Sequence, residues 1–143
     1  MIAARRTVHT HDPDDTVTLG YDDRFLRRKV LTSDRGERFL VDLAATTSLS
    51  VGDAFVLEDG RKVGVRAAPE ALLEVRGDLP RLAWHIGNRH TPCQIEAGRL
   101  LIQRDHVLRD MLERLGATLR DVTEPFAPEG GAYGLGRTHG HAH

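Results

Sequence analysis

The spacing of apolar residues changes once along this chain, at Ala67-Ala68-Pro69-Glu70, and that change divides it into two kinds of structure. Upstream, apolar and polar residues alternate over 16–21, 28–32, 38–43, 54–57 and 62–66, the period of strands with one buried face. Ser33-Asp34-Arg35-Gly36 and Glu58-Asp59-Gly60-Arg61 separate some of these runs as turns, and the Asp-Gly pair supplies the positive φ a tight hairpin needs. Downstream, a strand over 71–76 gives way to helical spacing at Leu79, Leu82, Ala83 and Ile86, opened by Gly77-Asp78 and Pro80. Two strands over 92–96 and 99–104 follow, around Ala97-Gly98. Asp105 then occupies an N-cap position before Val107, Leu108, Met111, Leu112 and Leu115, which share one helix face. Gly116 closes that helix before a last strand over 117–124.

The order β-α-β-β-α-β is the ferredoxin-like pattern. The predicted fold is α+β: a small all-β domain over 1–70, a ferredoxin-like domain over 71–128, and a flexible histidine-containing tail over 129–143. Residues 1–15 show no apolar rhythm and read as a frayed polar leader. His9 and His11 beside Asp12, Asp14 and Asp15 could hold a metal only weakly.

At 143 residues, two cores of roughly 70 residues each are marginal alone, so support from an interdomain contact or an oligomer is expected. A net charge of −1 argues against general affinity for nucleic acid or an anionic membrane. No apolar run approaches the ~18–20 residues that span a bilayer, and the first residues lack a signal-peptide core. The single cysteine, Cys93, cannot form an internal disulfide and suits a reducing compartment. The expected location is the cytoplasm.

Histidine is the unusual residue: there are eight, three of them in the last five positions as His139-Gly140-His141-Ala142-His143. Neutral imidazole suits nickel, copper or zinc, but one is too few for tight binding. Neither Cys-x-x-Cys nor His-Glu-x-x-His occurs, so a site must be assembled from distant segments or from two chains. His90 is the residue placed for this. It follows Gly87-Asn88, which end a helix, and precedes Pro92, which prevents its resumption. A two-fold axis near His90 would bring two imidazoles to one ion, and tail histidines could add more.

The run Gly87-Asn88-Arg89-His90, with Pro92, Gln94, Ile95 and then Asp105-His106-Val107-Leu108, resembles the UreE family, metallochaperones that deliver nickel to urease. The closing Gly131-Ala132-Tyr133-Gly134 and the histidine-bearing tail fit it too. The resemblance implies a homodimer that binds Ni2+ through His90 of each chain, completed by His141 and His143, with His139 next. Zn2+ or Cu2+ would compete in vitro. It implies as partners the urease-assembly GTPase and, through it, apo-urease with its other accessory proteins. His106 matches a peripheral metal histidine of some members. Its companion two positions earlier is here Arg104, whose cation opposes a second site, so a plain surface histidine is expected. His85 is read as structural, and Cys93 is left out of the site.

Catalysis is not expected. Cys93 and His90 lie three residues apart across a proline, with no group placed to orient the imidazole and no oxyanion-hole motif. Two binding functions compete with specific nickel delivery: a general divalent-metal buffer, and a peptide-binding module in which the β domain adds an extended strand.

Overall fold

The computed structural model describes residues 1–130. The chain divides into two compact units, Met1–Ala68 and Pro69–His143.

The first unit is a six-stranded sheet. Its strands are β1 (Ala3–His9), β2 (Asp15–Leu19), β3 (Phe25–Thr32), β4 (Arg38–Ser48), β5 (Asp53–Leu57) and β6 (Lys62–Ala67), in the spatial order β2-β6-β5-β1-β4-β3. The sheet is mixed: β1 runs parallel to β4 and antiparallel to β5, and β2 runs parallel to β6. It curls until its edges meet. Asp34, in the turn after β3, donates its N–H to the Thr16 carbonyl at 2.7 Å and accepts from the hydroxyls of Thr16 and Thr18 on β2. The enclosed core takes Val17 and Leu19 from one edge, Leu26 and Leu31 from the other, and Phe39 and Phe55 between them. At the β5–β6 turn Gly60 adopts φ +89°, as its Asp-Gly pair anticipated.

Residues 1–15 are not the leader expected from their polarity, because Ala3–His9 is a central strand. Its burial is carried by Ala3 and Ala4, which leave little hydrophobic signal. A register shift between Ala4 and Arg6 also breaks the alternation by which a strand is recognised.

The second unit contains β7 (Pro69–Arg76), α1 (Leu79–Asn88), β8 (Gln94–Ile95), β9 (Leu100–Gln103), α2 (His106–Arg114) and β10 (Thr118–Pro125). The sheet order β10-β7-β9-β8, antiparallel throughout, is the ferredoxin-like arrangement. Leu73, Val75, Leu100 and Ile102 on the sheet pack with Leu82 and Ile86 of α1 and Leu108 and Leu112 of α2. Asp78 caps α1 through the Arg81 N–H, and Asp105 caps α2 through the N–H groups of Val107 and Leu108.

Side chains alternate across a strand, so Glu74 faces away from the Leu73–Val75 side. Its side chain is only 4% exposed and meets three arginines: Arg76 at 3.0 Å, Arg99 at 2.9 Å and Arg120 at 3.0 Å. These hydrogen bonds, Arg76's foremost, hold its carboxyl down to about 2. Arg99 in turn binds Glu96 and Glu124, and those contacts raise its own basicity further. No helix among the described residues is long and apolar enough to cross a membrane.

Candidate metal centre

The candidate centre begins at the end of α1. The helix runs two residues beyond its expected end near Ile86 and includes both Gly87 and Asn88. The reversal falls instead at His90, whose φ is +57°, the one positive value on a non-glycine residue among those described. Three bonds close the turn. The Arg89 N–H reaches the Ile86 carbonyl at 3.1 Å, the His90 N–H reaches Gly87 at 2.9 Å, and the Thr91 N–H returns to Ile86 at 3.4 Å. The last two make the Schellman pair, with histidine at the left-handed position usually held by glycine. Pro92 then commits the chain to extended structure.

A left-handed residue bearing a Cβ costs about 1–2 kcal/mol. The conformation places an exposed imidazole at the corner where helix becomes strand. Arg89 and Asn88 beside it are exposed as well. Six residues back, Trp84 is 64% exposed, with the His85 ring edge-on to it at 5.1 Å. His85 itself is half-buried.

Cys93 is half-buried, and burial, with a smaller contribution from the Glu129 carboxylate, pushes its thiol up to about 11. Burial thus favours the thiol over the thiolate when no metal is bound. His106 is the exposed first residue of α2, one place after the Asp105 cap. The Arg104 guanidinium does not simply project beside it. It donates to the carbonyls of Leu72 on β7 and Val122 on β10, both at 3.0 Å, and lies 3.7 Å from Asp121.

In the first unit, His9 Nδ1 lies 3.5 Å from Asp53, and the His9 and His11 rings are 5.2 Å apart. Among the described residues, no three or more histidines, cysteines or carboxylates are grouped to hold an ion. His139, His141 and His143 lie outside the described residues.

Gln94 entered the sequence reading only as part of the family resemblance, with no role assigned to it. Its amide nitrogen donates to Glu96 at 2.8 Å, and its amide oxygen accepts the N–H of Ala127, also at 2.8 Å. That contact joins β8 to the segment beyond β10, 33 residues later. No local pattern signals a bond of that range.

Models of two known domains match the chain: the N-terminal domain of UreE urease accessory protein over residues 2–68, and the C-terminal domain over residues 70–143. A Urease accessory protein UreE from Ruegeria pomeroyi is 71% identical over 140 residues, covering 97% of this chain and 94% of that protein. Proteins of the same name from a Ruegeria sp. and from Cereibacter sphaeroides are each 67% identical. The first match covers 97% of this chain and 81% of the relative, the second 89% and 70%. With both domain models matched in sequence order and such identity over nearly the full length, this chain belongs to the UreE family of urease accessory proteins.

Proposed function

We propose that the chain takes up Ni2+ as cargo between two copies of itself and passes it on for urease assembly. His90 of each copy supplies the central pair of ligands. His141 and His143 complete the set, with His139 next. The recipient is the urease-assembly GTPase and, through it, apo-urease with its accessory proteins, in the cytoplasm.

The observation that carries this reading is the backbone of His90. An exposed imidazole in a left-handed conformation, where glycine would be more stable, is costly for the fold and useful to a ligand. Self-association is supported by the exposed Trp84 on the same helix and by Ile95 on β8, 56% exposed. A site built from two chains and a tail releases its ion by exchanging one imidazole at a time, which suits transfer better than storage. The N-terminal sheet serves partner docking.

The test is nickel titration by calorimetry, with molar mass followed by light scattering. The expected result for the full chain is one tight ion per two chains. His90→Ala should lose it, and a chain ending at Arg137 should bind more weakly. If His90→Ala binds as well as the unaltered chain, the reading fails.

A further inference from the structure

The chain that leaves β1 is tied down on both sides of His11. The Thr10 N–H donates to the Gly52 carbonyl at 3.1 Å, and the Asp12 N–H donates to the Thr10 hydroxyl at 3.2 Å. Further on, the Asp14 N–H reaches the Lys62 carbonyl at 2.9 Å, and the Asp14 carboxylate accepts the Lys62 N–H at 2.8 Å. His9 and His11 are therefore carried on fixed backbone. Their rings meet edge-on with centres 5.2 Å apart.

His9 is also held from behind. It stands opposite Asp53 in the β1–β5 register, and its Nδ1 lies 3.5 Å from Asp53 Oδ1, at the long end of hydrogen-bonding range. That carboxylate is itself fixed, because its Oδ2 accepts the Ser50 N–H at 2.8 Å. The His9 ring rests over Gly52, where a Cβ would come within 2.8 Å of Cε1, so glycine leaves the room it needs. An ionised carboxylate only accepts, so it favours the tautomer with the proton on Nδ1. The lone pair is then on Nε2. The His9 side chain remains 61% exposed, and His11 is exposed too.

The separation of the rings suits one shared ion. A ring nitrogen binds zinc at about 2.0–2.1 Å, which puts the ion ~3.2 Å from the ring centre. Two rings on one tetrahedral ion then have centres about 5 Å apart. Exposed side chains change rotamer on the ps–ns timescale, so His11 can turn a nitrogen to the ion without a backbone shift. Two imidazoles are too few for tight binding, and water fills the remaining positions.

We propose that His9 and His11 form a second, weaker site for a divalent first-row cation such as Ni2+ or Zn2+, with Asp53 as the positioning residue that orients His9. The site lies wholly in the first unit and needs neither His90 nor a second copy. Mg2+, which prefers oxygen ligands, should not bind there.

The experiment is a Zn2+ titration of the full chain, with the imidazole nitrogens followed by long-range 1H–15N NMR. His9 Nε2 and one nitrogen of His11 should shift together at a single free Zn2+ concentration, while His9 Nδ1 keeps its proton. His11→Ala should raise the concentration needed to shift His9 at least tenfold. Asp53→Asn should raise it about tenfold. Asparagine keeps an oxygen for the Ser50 N–H, so that loss reads the charge and not the turn. His90→Ala should leave the pair unchanged, which separates this site from the His90 reading, and a change there would overturn the proposal. Rings that shift at different concentrations would be single adventitious imidazoles and would also overturn it. So would a His9 response that survives His11→Ala, or an Asp53→Asn chain that binds as well as the unaltered one.

Discussion

The N–H of Thr91 donates to the carbonyl of Ile86 at 3.4 Å, and this bond closes the end of α1 around a left-handed His90. A turn of this kind is most stable with glycine at the enclosed position. Here the position carries the residue proposed to hold the cargo.

The first prediction sets stability against binding. His90→Gly should be more stable than His90→Ala by about 1 kcal/mol, because only the alanine retains a Cβ in the left-handed region. Both should lose the shared nickel site. Chemical denaturation of the metal-free variants measures the difference, and equal stabilities would mean that the turn relaxes when the imidazole is removed.

A second prediction concerns acidity. Imidazole binds metal only when neutral, so nickel affinity should fall steeply as the pH drops through about 6.5. Titrations at intervals between pH 5 and 8 check this. A flat profile would rule out a histidine-built site.

Glu74 gives the third. Its carboxyl is held at about 2 against an ordinary value of 4.5. A depressed value means that the charged form stabilises the fold above pH 4.5, and that this stabilisation disappears as the pH falls towards 2. Glu74→Gln should therefore cost about 1–3 kcal/mol at pH 7. The gap from the unaltered protein should narrow below pH 4.5, as followed by denaturation across that range.

The fourth addresses β1. Ala4 is fully buried in a strand paired on both sides. Ala4→Glu would bury a carboxylate with no partner supplied, and should destabilise the first unit by several kcal/mol. Ala4→Ser should be much milder. Backbone amide exchange resolved along the chain reports the loss where it occurs.

Much of the fold was legible because local chemistry and burial agreed. Asp78 and Asp105 announced the helix starts, Asp59-Gly60 announced the hairpin, and the apolar spacing of 79–86 and 108–115 matched the faces that pack on the sheet, whereas Val107, read onto the same face, is 47% exposed. Strand β1 was hidden because alanine fills a tight interior as well as a larger residue but scarcely registers as apolar. The end of α1 was misplaced because Gly87 and Asn88 favour termination, while three backbone bonds one turn later settle it at His90. Of the candidate centre, sequence singled out His90 and its place at a helix exit. It could not reveal the left-handed backbone, since glycine or asparagine is the residue expected there. The Gln94–Ala127 bond joins segments too distant in sequence for any periodicity to predict.

The position of β1 also governs how the first unit forms during synthesis. Its partners β4 and β5 end at Ser48 and Leu57, and β2 finds its partner only when β6 emerges through Ala67. The first strand made is therefore among those that must wait, for seconds at ordinary rates of translation, with its backbone donors and acceptors open to water. Pairings of such long sequence separation make folding slow and nearly all-or-none. The sheet of the first unit can be completed only after residue 67 has cleared the ribosome.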